Sequence, residues 1–437
     1  MEVGLQRVGG RHRQHRPAGK TALTDGHGSA SNDYSELRDH WRLLLSATVA
    51  AGLGMPTLAF FSIGIFAPIF AETFHWSFGV MMGGLTLTTI AIFLCGPIVG
   101  HFIDRHGARR VAAVSLLGSG LSYMSLALST GSIAQYYVSW AGMALLGIGA
   151  TAISFTHAIS GTFVVRRGLA LGIALTGSGV FALIVKPFAD WGIDLFGWRA
   201  TIAAIGALPV LAGAPLVLWG FPRTRSPARK AGEPMPHKET GLSLKDALKS
   251  RSFWILVAAF VPISFANGAP IPNMENILRT LQVDSQAIVR MTSLIGISII
   301  AGRLIGGWLI DRFRAPLIGT AMLIGAASGC WMLSGESATY YEASAAVALV
   351  ALAAGVEYDL LAFLIAKYIG VRNYGLVYSI LFGVFAIGIG AGTALLGHSF
   401  DTAGSYSPGL IACAVALLFA ALILPMLGRY PDFEVDG

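Results

Sequence analysis

Gly100-His101-Phe102-Ile103-Asp104-Arg105-His106-Gly107-Ala108-Arg109-Arg110 closes one long apolar run of this chain, and Gly307-Trp308-Leu309-Ile310-Asp311-Arg312-Phe313-Arg314 closes another. Asp104 and Asp311 lie 207 residues apart, each with a glycine four residues before it and an arginine after it. On a helix this layout puts the acid and base just outside the end and the small residue one turn inside it. A charged turn repeated at this distance implies two related halves.

Working outward from the two turns, the chain is almost continuously apolar. Its 437 residues are 54% hydrophobic and 12% charged, where soluble domains carry roughly a quarter charged residues. Runs of about 20 apolar residues cross a bilayer, and twelve are counted, near 44–70, 78–102, 111–129, 137–159, 169–190, 200–221, 253–274, 287–310, 316–334, 343–366, 376–397 and 408–427. The hydrocarbon core requires each to satisfy its own backbone hydrogen bonds. The expected fold is therefore an all-α membrane protein of twelve transmembrane helices in two pseudo-symmetric six-helix bundles.

Lysine and arginine set the orientation, because short positive loops stay in the cytoplasm. With both termini inside, the cytoplasmic segments hold 25 of the 30 basic residues. Lys186, Arg199, Arg279, Arg290 and Arg303 fall within the spans or on the other side. The expected location is the inner (plasma) membrane of a bacterial-type cell. The net charge of +7 then reflects this bias and an anionic lipid surface, not nucleic acid.

The expected units are a disordered basic tail over 1–42, a first bundle over 43–221, a cytoplasmic linker over 222–252, a second bundle over 253–428 and a short tail over 429–437. The first tail has no apolar stretch of signal-peptide type. The linker carries Pro222, Pro227, Pro234 and Pro236 among many charges, and Leu242-Ser243-Leu244-Lys245-Asp246-Ala247-Leu248 reads as a short amphipathic helix on the cytoplasmic face. Cys95, Cys330 and Cys413 lie in apolar spans without metal-ligand spacing and are expected to pack rather than pair.

The duplicated turn resembles the signature of the major facilitator superfamily of secondary transporters. The first copy carries most of the pattern, and the second keeps Gly307, Asp311, Arg312 and Arg314. Phe163-Val164-Val165-Arg166-Arg167-Gly168-Leu169-Ala170-Leu171-Gly172, then Gly177-Ser178-Gly179 and Gly197-Trp198-Arg199-Ala200, resembles the monocarboxylate and oxalate/formate porter branch. So does Phe61-Ser62-Ile63-Gly64-Ile65-Phe66 ahead of Phe74-His75-Trp76-Ser77. In the second half, Gly355-Val356-Glu357-Tyr358-Asp359-Leu360 and Tyr368-Ile369-Gly370-Val371-Arg372-Asn373-Tyr374-Gly375 look like bacterial members of that branch. The resemblance implies the major facilitator fold, alternating access around a midplane cavity, and a small organic anion as cargo.

Charges inside the spans mark the candidate site, because they are costly in the bilayer and face a cavity or a partner. Arg303 lies eight residues before Asp311, roughly 12 Å inside the surface of a core about 30 Å thick. It reads either as the anchor of a carboxylate, which its planar fork fits, or as a structural partner of Glu357 or Asp359. The resemblance favours the anchor, since monocarboxylate transporters carry an arginine at this place. The chain departs from animal members in having Ile299 where they have an acid, and it has no lysine in the first or eleventh span. Lys186 is the substitute second cation, or else a side chain reaching out to water and to Asp190. Glu357 and Asp359 point about 200° apart on a helix, so one is expected to face the pathway and handle a proton while the other packs. Phe60, Phe61, Asn267 and Tyr358 are the remaining cavity candidates, and His157 reads as a packing residue. Gly100, Asp104, Arg105, Gly107, Arg109, Asp311 and Arg312 form the expected conformational switch, with the arginines also serving as anchors to the lipid surface.

The reading is a proton-coupled symporter of a small monocarboxylate, acting as a monomer without cofactor or metal. Its rival is anion exchange without protons, as in oxalate/formate exchange, or carriage of another small organic solute. An enzyme would need a cluster of nucleophile and base or of metal ligands at one rim, and none is legible.

Overall fold

The structure, a computed structural model, describes residues 35–223 and 241–431. Most of the basic N-terminal segment, the proline-rich part of the linker and the last six residues lie outside the described residues. The described part is helical apart from one isolated bridge, Gly241 to Gly370.

Twelve spans follow one another. They are α1 (Trp41–Phe74), α2 (Phe78–His106), α3 (Ala108–Leu128), α4 (Ile133–Thr162), α5 (167–196), α6 (198–220), α7 (Arg251–Gly268, continued as Pro270–Thr280), α8 (Ser285–Arg312), α9 (Ala315–Leu333), α10 (Tyr340–Tyr368), α11 (Tyr374–Ala403) and α12 (Ser407–Leu427). By hydrogen-bond pattern alone α5 and α6 run together, which leaves eleven uninterrupted stretches long and apolar enough to cross a membrane. Gly197, at φ 77° and ψ 163°, breaks them. It reverses the chain: Gly192 packs on Thr201, whereas nine residues along a straight helix span about 13 Å.

Polar ends are capped where the chain leaves the apolar layer. Asp284 accepts from the Gln286 and Ala287 amides at the start of α8, and Thr339 with Glu342 forms a reciprocal capping box at α10. One expectation is corrected here. Part of the tail assigned to disorder is helical, Ser35–Asp39, because the Glu36 carboxylate accepts from the amides of Val164 (2.7 Å), Val165 (3.2 Å) and Arg166 (2.8 Å). The linker helix is Leu244–Lys249, and it is tied to the α10–α11 turn by Leu242 N–H to Ile369 O and by Asn373 to Leu242 O.

The two bundles, α1–α6 and α7–α12, meet along α5 with α8 and along α2 with α11. Both contacts are built from glycine, which lets backbones approach closely. An added methyl at Gly307 would stand 2.5 Å from Gly168 O, and one at Gly375 would stand 2.7 Å from Gly100 O. Gly168 and Gly375 are 207 residues apart, the same offset as Gly100 to Gly307 and Asp104 to Asp311. The repeat seen in the turns therefore extends to their partners. Away from the chain ends α5 and α8 separate: the same test gives 3.2 Å between Gly179 and Ile300 and 3.8 Å between Gly296 and Leu183.

Candidate substrate cavity and gate

Between the bundles, beyond this close contact, lies a cavity of about 120 Å³. Two helix breaks shape it. α1 is interrupted at Leu53 and Gly54, and α4 loosens at Ile148–Ala150 before Thr151 restarts it by accepting from Ile153 N–H. The breaks face each other, since a side chain at Gly54 would strike Ala150 O at 2.5 Å. Pro56 and Thr57 from α1, Thr151 and Phe155 from α4, Leu175 and Ser178 from α5, Arg303 from α8, Tyr358 from α10 and Phe382 from α11 line the space. Interrupted helices at a midplane site are a recurrent way to present polar groups within a membrane. Two larger grooves, between α1, α5 and α6 and between α7, α11 and α12, are lined by uncharged and almost wholly apolar groups on the bundle flanks.

Arg303 is 7% exposed, and its Nη1 stands 3.5 Å from Asp359 Oδ1. The pair is ionic but makes no hydrogen bond: Arg303 Nε and Nη1 and both Asp359 oxygens find no partner among the described residues. A buried ion pair left in this condition is costly unless something else satisfies it. Glu357 is served differently, accepting from Asn267 Nδ2 of α7 at 2.5 Å.

The three consecutive residues of α10 divide three directions. Glu357 meets α7, Tyr358 enters the cavity against Phe382 and Phe385 of α11, and Asp359 meets α8. The expectation that one of the two acids faces the pathway is thus corrected. At 100° per residue the position between them takes the cavity, and both acids stand behind it.

Of the other expected cavity residues, Lys186 stays outside. Its side chain is 68% exposed and binds Asp190 Oδ2 at 2.9 Å, one turn away on the same helix. Phe60 and Phe61 do not line the cavity either; they are half exposed, one turn beyond Pro56 and Thr57 on α1. Asn267 reaches the site through Glu357.

The switch residues come together at the face that carries Ser35 and Pro431, the first and last described residues. Asp104 accepts from the amides of Gly375 (2.7 Å) and Leu376 (2.9 Å) at the start of α11. Asp311 accepts from Gly168 (2.6 Å) and Leu169 (2.8 Å) at the start of α5. Each carboxylate of one bundle thus caps a helix N-terminus of the other, where unpaired amides and the helix dipole favour negative charge. Gly100 packs on the Gly375 carbonyl, and Gly107 turns the chain at φ 83°. The arginines act locally: Arg109 holds Leu218 O at the end of α6, Arg312 lies over the Trp308 ring at 4.4 Å, and Arg105 is exposed.

One member of this gate was not legible in the sequence. His157 of α4 places Nε2 3.3 Å from Asp104 Oδ1, with its ring edge-on to Tyr374. Nothing in its apolar neighbourhood marks it, and its partner is 53 residues away.

Two six-helix bundles around a central cavity, closed at one face by interlocking helix caps, are the architecture of a membrane transporter. The chain belongs to the Major Facilitator Superfamily, whose family model matches residues 49–378. It is 24% identical over 404 residues to monocarboxylate transporter 11 of Mus musculus, covering 89% of this chain and 88% of that one. It is 25% identical over 410 residues to monocarboxylate transporter 13 of Bos taurus, with 90% of each chain covered. Among solved structures, a single-residue variant of the E. coli fucose:proton symporter FucP superposes with TM-score 0.67 at 14% identity over 90% of this chain and all of that one. FucP in the outward conformation gives 0.66 at 14% identity, over 89% and 98%.

Proposed function

We propose that this chain carries a small organic monocarboxylate together with a proton, with the face of the chain ends in the cytoplasm of a plasma (inner) membrane. The observation that carries the reading is Arg303: a permanently charged fork at the cavity wall with Nε and Nη1 unbonded to protein, beside an acid that only partly neutralises it. A carboxylate entering the cavity would bond the edge of the guanidinium that the protein leaves under-satisfied. The hydroxyls of Thr57, Thr151, Ser178 and Tyr358 and the rings of Phe155 and Phe382 offer a mixed wall to a short acid. The relatives named as monocarboxylate transporters support this class of cargo.

Asp359 is the proton-coupling group in this reading. Ionised, it competes for Arg303; protonated, it frees the guanidinium for the substrate, so proton and carboxylate enter together. Glu357, held by Asn267, is one step further from the exchange. The structure is closed at the face of the Asp104 and Asp311 caps, which is the cytoplasmic side in this orientation, and the basic loops on that face support the assignment.

The test is uptake of a labelled panel (lactate, pyruvate, acetate, oxalate, glucose) into proteoliposomes under an imposed pH gradient. Gradient-driven entry of one short acid, abolished by Arg303→Ala, is expected. Uptake only against preloaded anion would establish exchange without protons, and no acid uptake would refute the substrate class.

A further inference from the structure

The two gates are built on one plan at an offset of 207 residues, yet they differ in one respect. At Asp104 a histidine stands against the carboxylate, whereas the position 207 residues after His157 is Leu364. We infer that His157 makes the α2–α11 gate sensitive to pH on the side of the chain ends: its protonated form holds that face shut, and its neutral form releases it.

The geometry gives the sign. Asp104 Oδ1 already accepts from Gly375 N–H, and the same oxygen faces His157 Nε2 at 3.3 Å. A neutral ring offers at most one weak hydrogen bond there, while an imidazolium adds an ion pair to a carboxylate whose other oxygen is tied to Leu376 N–H. His157 of α4 and Asp104 of α2 belong to one bundle and stay together as the gate moves, so the ring acts by orienting the carboxylate towards the amides of Gly375 and Leu376, which belong to the other bundle. Asp104 that is fixed by His157 is aimed at those amides; left without it, the side chain can turn away. The pair is not sealed from water, with side chains 22% and 11% exposed, so protons reach it from the gate face. Histidine is the side chain that ordinarily changes charge between pH 5 and 8.

Neighbouring elements bring other charges to this end of α4. They are Glu36 and His40 ahead of α1, Arg42 from α1, Arg105 from α2, Arg109 from α3, Arg166 and Arg167 at the start of α5, Asp311 at the end of α8, Lys367 near the end of α10 and Tyr374 from α11. The tyrosine links the gate inward: Tyr374, Tyr378 and Phe382 stack at 5.7 and 5.9 Å along one face of α11, and Phe382 ends in the cavity wall. With the orientation proposed above, acid accumulating in the cytoplasm would hold the carrier shut on that side and slow further entry.

The experiment reads conformation rather than transport, so it is independent of cargo. Spin labels are placed through Val164→Cys in the α4–α5 turn and Phe313→Cys in the α8–α9 turn, both exposed positions on opposite bundles. Pulsed electron resonance distances are measured on the full chain in nanodiscs without substrate, at pH 8 and pH 5.5. The closed-to-open ratio is expected to rise on acidification by up to about fivefold, the upper end for a partly exposed ion pair. His157→Gln should flatten this response. His157→Lys, with a fixed charge, should keep the face closed at both pH values, and it serves as the reading if the glutamine variant fails to fold. A wild-type response in His157→Gln, or a response in His157→Lys equal to wild type, would overturn the inference.

Discussion

Replacing Gly307 by alanine adds one methyl group at a close backbone contact of the two bundles, and its effect can be worked from the coordinates. The new Cβ would stand 2.5 Å from Gly168 O, 2.9 Å from Gly168 C and 3.1 Å from Leu169 Cα, all backbone atoms of α5. No side-chain rotation relieves such a contact, so α5 and α8 must separate by about 0.9 Å to reach the ordinary limit near 3.4 Å. The same movement lengthens the Asp311 bonds to Gly168 and Leu169, now 2.6 and 2.8 Å, to about 3.5 Å or more, where hydrogen bonding is lost. Overpacking of this kind costs about 1–3 kcal/mol. If the open state at this face lacks the contact, the penalty falls on the closed state alone and shifts the ratio about 5- to 150-fold towards opening. Spin-label distances between Val164 and Phe313 positions would lengthen, and cysteines introduced near Gly172 would become reactive from the side of the chain ends. An unchanged distance distribution would refute the idea that glycine contact at this point holds the gate.

Asp359→Asn should remove gradient-driven uptake while leaving exchange of one anion for another, as counterflow in proteoliposomes would report; retained gradient dependence would move the coupling to Glu357. Asp104→Asn loses the charge on two bonds to α11, at about 1.5–3 kcal/mol for bonds of this type, and should slow net transport by favouring the inward-open state; unchanged turnover would sink that. Phe382→Ala enlarges the cavity by most of a benzyl group and should raise KM for the preferred short acid while admitting a longer one, read by competition with a homologous series. Gly197→Ala asks a non-glycine residue to hold φ 77°, which costs about 1–2 kcal/mol, so thermal unfolding in detergent should begin a few degrees lower.

The architecture was legible because the bilayer leaves the chain few options: apolar length gives the spans, and the repeated Gly-x-x-x-Asp-Arg turn relates the halves. The amphipathic segment near 244 and the pairing of Lys186 with Asp190 followed from helical spacing alone. What could not be read was direction. Spacing says that Glu357, Tyr358 and Asp359 diverge, but only the packing of α7, α8 and α11 around α10 decides that the tyrosine faces the cavity. Phe60 and Phe61 carry the right period for the cavity face of α1, and the break at Leu53 and Gly54 decides that Pro56 and Thr57 occupy its wall instead. His157 and Glu36 were missed for a related reason: each acts on backbone or carboxylate groups 50 to 130 residues away, and no local pattern announces such a partner.

The shared offset of 207 residues has a practical consequence. Four positions of one interlock have a matched position at the other within the same molecule: Asp104 with Asp311, Gly100 with Gly307, Gly168 with Gly375, Arg105 with Arg312. Membrane composition, expression level and detergent act on both members of such a pair alike, so their ratio isolates what the position itself contributes. The protein thereby carries its own reference, and any difference between matched variants measures how far its two ancestral copies have parted in duty.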